Sequence, residues 1–130
     1  MLSARPRRGL PRVASPFAPR FPLLLFSQEL VALLSAGLSL PEVVETLAEK
    51  EPRPESRRVF AALRASLYEG RSFSHALERF PETFPSLYVA TVRAAERTGD
   101  VAEALGRYIA YHERLDAVRR RSSAWRWPDA

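Results

Sequence analysis

The chain has 130 residues, no cysteine, two histidines and a formal charge of +5. That length supports one modest core, and without cysteine neither a disulfide framework nor a thiolate metal site can form. Two histidines, His75 and His112, leave little for a histidine metal centre or a Ser/His/Asp triad. The whole charge excess lies in the first 20 residues, where Arg5, Arg7, Arg8, Arg12 and Arg20 stand without an acid. Prolines at 6, 11, 16, 19 and 22 forbid a helix there, so 1–21 is expected to be a disordered or extended arm. It does not read as a signal peptide, because the apolar run "PLLLF" is about five residues against the ~7–15 such a segment needs. No stretch approaches the ~20 apolar residues of a membrane span, so a soluble chain is expected. Basic ends around a near-neutral middle point away from a nucleic-acid-binding body.

From Pro22 onward the apolar period is helical throughout. Leu23, Phe26, Leu30, Leu33 and Leu34 stripe a first helix that stops at Gly37, with Leu38 behind it. Ser39 opens a second, with Glu42 completing a capping box and Pro41 tolerated in the first turn. "EPRPE" ends it. A third runs from about Glu55 to Glu69, turns Phe60, Leu63 and Leu67 inward and stops at Gly70. Ser72 opens a fourth, with Phe73, Ala76, Leu77 and Phe80 at i, i+3, i+4 and i+7, which "PETFP" breaks. Pro85 starts the fifth, ending at Gly99. Asp100 caps the sixth, with Glu103 at its third position, and Val101, Leu105, Tyr108, His112, Leu115 and Val118 form its inward stripe.

Three stretches, "AGLSLPEVVETL", "EGRSFSHALERF" and "TGDVAEALGRYI", repeat one order: glycine, cap, helix. The reading is an all-α, six-helix bundle built from three αα-hairpins, each turning on a glycine. Unequal spacing between the glycines and proline-broken connectors favour a closed bundle over a solenoid.

Candidate chemistry concentrates at the "AAERTGD" corner, where Glu96 and Asp100 flank Gly99. Capping the sixth helix is a sufficient role for Asp100. Glu96 faces the negative end of its own helix dipole, and capping does not explain it. Its open roles are an ion pair with Arg93 or Arg97, an interaction surface formed by Glu96, Arg97 and Asp100, or an oxygen ligand, with Asp100, for a hard cation such as calcium. No nucleophile or oxyanion donor accompanies the two acids, so catalysis and a cofactor are not expected. His75 is expected to face solvent and His112 to be a packed histidine. Tyr88, Tyr108 and Tyr111 are read as core edges whose hydroxyls reach water. The arginines of "RLDAVRRR" are favourable solvated charge at a helix C-terminus.

The segment from about Leu24 to Arg121 resembles the cytoplasmic domain of the type II secretion system F-protein family. The resemblance rests on several phrases in order: the first helix with its "AGLSL" turn, "EGRSFSHAL", "FPSLYV" with the "AAERTGD" end, and "YIAYHERL". It implies a six-helix domain over 22–121 followed by a tail over 122–130. It also implies no enzymatic activity, and a platform role at the cytoplasmic face of the inner membrane in type II secretion or type IV pilus assembly. The implied partners are the assembly ATPase and other inner-membrane platform components; separately, a homodimer is an expected association. Members usually continue from the last helix into a transmembrane segment. Here "SSAWRWPDA" stands instead, so membrane attachment is expected only through segments missing from this chain, and a truncated or frameshifted product is expected. A stand-alone helical adaptor for protein partners is the alternative reading.

Overall fold

The computed structural model describes residues 21–124, and side chains as far as Ser122. The expectations for residues 1–20 and for 125–130 lie outside the described residues. The described part is all-α, with six helices and no strand: α1 (Leu23–Ser35), α2 (Leu40–Lys50), α3 (Pro54–Tyr68), α4 (Phe73–Glu78), α5 (Ser86–Glu96) and α6 (Val101–Ala124). Three boundaries differ from the sequence reading: α4 ends at Glu78, short of the Phe80 that its period included. α5 leaves helical hydrogen bonding at Glu96, three residues before the glycine, and α6 runs past Arg121 through Ala124.

The helix ends follow from local chemistry. Ser39 accepts from the Glu42 N–H while the Glu42 carboxylate accepts from the Ser39 N–H at 2.8 Å, a complete capping box. At the end of α1 the Leu38 N–H reaches back to the Leu33 carbonyl and the Gly37 N–H to Leu34. α3 repeats this with Arg71 to Ser66 and Gly70 to Leu67. Both are closures that need a left-handed residue, and among the described residues Gly37, Gly70 and Gly99 are the positions with positive φ (104°, 89° and 78°).

Each helix packs on the next, and α1 packs on α6, so the six form a closed ring. The contacts do not single out three hairpins: the α1–α2 interface is the least extensive of the six, and α2–α3 and α1–α6 are the most extensive. The interior is filled by Phe26, Leu30, Val43, Val44, Leu47, Phe60, Leu63, Phe73, Leu77, Val92 and Leu105, all buried. Each such side chain contributes about 1.5–3 kcal/mol relative to exposure.

A run of rings crosses this core. Phe26 stacks on Phe60 at 5.6 Å, Phe84 on Tyr88 at 5.9 Å, and Tyr88 meets Tyr108 edge-on at 5.0 Å. Phe21, assigned to the arm by sequence, instead lays its ring against Phe26, Phe60 and Phe84. Phe84 sits in the proline-flanked break between α4 and α5 and is buried, an anchor that no helical period marks.

Tyr88 departs from its expected role. Its hydroxyl does not reach water: the residue is fully buried on α5, and its oxygen lies 2.8 Å from the Ser27 hydroxyl of α1. Ser27 in turn donates to the Leu23 carbonyl at 2.7 Å. Burial pushes the Tyr88 phenol well above its ordinary range, so it stays neutral. Tyr108 is also nearly buried, whereas Tyr111 is exposed. Val118, placed inward by its spacing, is 53% exposed, because the far half of α6 extends beyond the body that covers its first half.

Candidate functional site

The corner begins with the way α5 stops. The Ala95 carbonyl accepts from the N–H groups of Thr98, Gly99 and Asp100 and from the Thr98 hydroxyl. This convergence turns the chain within one step of helix and sets Asp100 at the start of α6. Asp100 Oδ1 accepts from the Glu103 N–H at 3.3 Å, the cap expected from sequence. Asp100 also acts on Glu103. A hydrogen bond between the two carboxyls, and then the like charge, raise the Glu103 pKa above the ordinary carboxylate range.

Glu96 has a role that its own helix does not reveal. Its two carboxylate oxygens accept from the Ser74 N–H at 2.8 Å and the Ser74 hydroxyl at 2.7 Å. Ser74 is the second residue of α4, whose entry is otherwise held by Ser72 accepting from the His75 N–H. A carboxylate at the C-terminal end of α5 is unfavourable for that helix, yet it stands at the N-terminal end of α4, where free N–H groups and the positive end of the dipole favour it. The sequence reading that capping does not explain Glu96 is therefore corrected: it caps a neighbouring helix, 22 residues away in the chain.

The ion pairs considered for Glu96 are not formed. Arg93 instead pairs with Glu78 of α4, a second tie between α4 and α5. Arg97 is exposed and has no ion-pair partner among the described residues. No group of three or more His, Cys, Asp or Glu side chains that could hold a metal ion occurs among the described residues. Of the two acids considered for a cation, Glu96 has both oxygens engaged by Ser74 and Asp100 accepts at the start of α6.

The remaining singled-out residues are placed as follows. His75 is half-buried rather than solvent-facing, since α4 is short and its first turn is covered. His112 packs its ring 4.4 Å from Tyr108 and 5.7 Å from Tyr111. Buried Ser27, Ser56, Ser66 and Ser74 were not marked by sequence as structural polar groups. The "SFS" of α4 is the one faint signal, since a second serine two residues after a cap can present another hydroxyl to a neighbour.

With the turn, the caps and the ring of helices in place, the comparisons decide the relationship. The family model for type II secretion system (T2SS), protein F matches residues 26–125. The chain belongs to that family. Among relatives of the protein F family, the type II secretion system protein F of Xanthomonas campestris pv. campestris is 36% identical over 97 residues, 75% of this chain and 24% of the relative. That of Vibrio cholerae is 31% identical over the same length and shares. The type IV pilus assembly protein PilC of Myxococcus xanthus is 29% identical over 107 residues, 82% of this chain and 26% of the relative. The chain thus spans about a quarter of the length of the curated relatives it matches. No helix among the described residues is long and apolar enough to cross a membrane.

Proposed function

We propose that this chain serves as a non-enzymatic scaffold domain of a type II secretion or type IV pilus assembly machine, working at the cytoplasmic face of the inner membrane and linking the assembly ATPase to pilus or pseudopilus growth. The observation that carries this reading is the protein F family match over almost the whole helical body, with relatives named for both secretion and pilus assembly. The state of the corner supports a scaffold over an enzyme. Its carboxylates are committed to backbone N–H groups and a hydroxyl, an arrangement that fixes helix ends and leaves no free base beside a nucleophile.

Within this reading the partner contact is made by Arg97 and Asp100, both exposed on the α5–α6 turn, and Glu96 acts beneath them by locking α4 to α5. The test is co-purification of the full chain with the secretion or pilus ATPase encoded in the same genome. Arg97→Glu and Asp100→Lys are expected to abolish it while leaving the thermal melt of the Arg97 variant unchanged. Absence of any association with that ATPase, or association indifferent to both substitutions, overturns the proposal for this surface.

A further inference from the structure

A second feature lies at the far end of α6. Ala104, Tyr108, Tyr111, Leu115, Val118 and Ser122 follow one another at alternating steps of four and three residues. That is a heptad seam, the spacing with which one helix packs along another. The body covers its beginning, where Ala104 and Tyr108 are buried. Beyond them Tyr111 is 47% and Val118 53% exposed, Leu115 between them is half-buried, and Ser122 is exposed. The seam outruns its cover.

The positions that border this seam are occupied by Arg107, Arg114 and Arg121 on one flank and by His112 and Arg119 on the other. None is acidic. In a pair of helices these flanking positions face the partner, and their charges select it. Arg107 leans on Glu103 at 3.3 Å and Arg119 on Asp116 at 3.7 Å, exposed pairs within one helix that hold weakly. Arg114 and Arg121 are exposed and have no ion-pair partner among the described residues. The dipole of a helix C-terminus favours cations only in the last turn, so it accounts for Arg121 but neither for Arg114 nor for the heptad spacing of the three.

We infer that the projecting part of α6 is a docking surface for an acidic amphipathic helix of another protein, one with an apolar seam flanked by glutamate or aspartate. Tyr111, Leu115 and Val118 pack against the partner's seam, and Arg114 and Arg121 pair with its carboxylates. Charge decides the occupant. A second copy of this helix would bring arginine against arginine whether the two ran parallel or antiparallel, so the flanks oppose self-association here. An anionic lipid surface would also attract the arginines, but insertion into it needs a broad apolar face. The apolar residues here form a line about one side chain wide, the footprint of a helix. Fewer than two heptads are exposed, so the complex is weak and reversible. This inference does not rest on the function proposed above, and its surface is distinct from the α5–α6 turn.

The test uses the full chain and two fluorescent synthetic helices of about 21 residues, both with leucine along the seam. One carries glutamate at every flanking position and the other lysine. By fluorescence anisotropy the native chain is expected to bind the glutamate peptide with a Kd on the order of 10–100 μM and to ignore the lysine peptide. Val118→Asp is expected to weaken binding at least about tenfold by setting a charge in the seam. The double substitution Arg114→Glu/Arg121→Glu is expected to lose the glutamate peptide and gain the lysine one, an exchange that damage to the fold cannot produce. Tyr68→Asp, exposed at the end of α3, is the control and is expected to bind as the native chain does. All these positions are exposed, and circular dichroism melts establish that each variant folds. No binding of the glutamate peptide up to about 1 mM overturns the inference. So does binding that survives Val118→Asp or is lost with Tyr68→Asp, or a double substitution that does not exchange the peptides. A chain that binds vesicles of phosphatidylglycerol and phosphatidylcholine but neither peptide overturns it as well, and assigns the arginines to lipid.

Discussion

Two serines tie α5 to its neighbours, and they do so under opposite conditions. Ser27 meets the Tyr88 hydroxyl in the sealed core between α1 and α5, and Ser74 meets the Glu96 carboxylate at the half-covered junction of α4 and α5. The first bond is neutral at both ends. A charge in that position would have no water and no counter-ion, and the polar groups found there are two hydroxyls that meet each other and one backbone carbonyl. The second uses a full charge, which is tolerated because it stands at the rim and because a helix N-terminus supplies N–H donors and a favourable dipole. The same residue type thus joins helices as a neutral spacer inside and as a receptor for charge at the edge. Depth selects the partner.

The largest expected effect breaks the inner tie. Tyr88→Ala removes the ring that links Phe84 to Tyr108 and is expected to cost about 3–5 kcal/mol, measured by urea unfolding. Tyr88→Phe keeps the ring and leaves Ser27 bonded to the Leu23 carbonyl, so it is expected to cost only about 1 kcal/mol. The same pair of variants sharpens the electrostatic half of the comparison. Because burial raises the folded-state pKa of this phenol above its ordinary value of 10.0, its contribution is fully present below pH 10 and is lost as pH rises beyond it. The native chain is expected to lose stability in strong alkali faster than Tyr88→Phe. Parallel alkaline profiles would refute the sealed phenol.

The outer tie comes next. Glu96→Ala leaves two N-terminal donors of α4 without their acceptor and is expected to cost about 2 kcal/mol, and Glu96→Gln, which keeps one oxygen, about 1 kcal/mol. Hydrogen exchange at Ser74 is expected to quicken in both variants while that of the core helices tracks global stability. If Glu96→Ala is neutral, the rim bond has no weight and the comparison fails.

Gly99→Val is expected to cost about 1.5 kcal/mol. At φ of 78° a β-branched residue is strained, even though the space around the position is open, so the penalty is conformational and not steric. A neutral outcome would mean that the turn relaxes without displacing Glu96.

The smallest effect expected is at Glu51, a surface-edge pair that calibrates the other two. A hydrogen bond from Arg53 outweighs partial burial and holds the Glu51 carboxyl below its ordinary 4.5, so its stabilisation is present above that pH and is lost as pH falls through the lowered value. Glu51→Gln is expected to cost at most about 1 kcal/mol at pH 7, with the difference from the native chain closing in acid.

The fold was legible because most of its determinants are local. Ser39 with Glu42, Ser72, and the glycines at 37, 70 and 99 announce their turns within a few residues, and the stripes read for α1, α3 and α4 have helical period. What was not legible has a common physical cause. Phe84 is buried from an irregular segment, Tyr88 gives up water for a serine 61 residues away, and Glu96 serves a helix other than its own. Each depends on which elements become neighbours, and no period or spacing encodes that. Val118 failed in the reverse direction: a stripe can continue past the end of whatever covers it. The corner itself was legible as a cluster of acids and a turn, and Asp100 as a cap, but not the identity of the helix that Glu96 completes.

The closure of the ring by α1 against α6 also has a consequence in time. On the ribosome α1 is made first, yet its most extensive neighbour begins at Val101, some 65 residues after Ser35. At the usual ~5–20 residues per second of synthesis, the side of α1 that α6 will cover waits on the order of 3–13 s, and the one interface α1 makes with its immediate successor is the least extensive of the six. Nascent chains halted before Val101 therefore hold α1 with one apolar side uncovered, and a vulnerable period is the interval between making α1 and making α6.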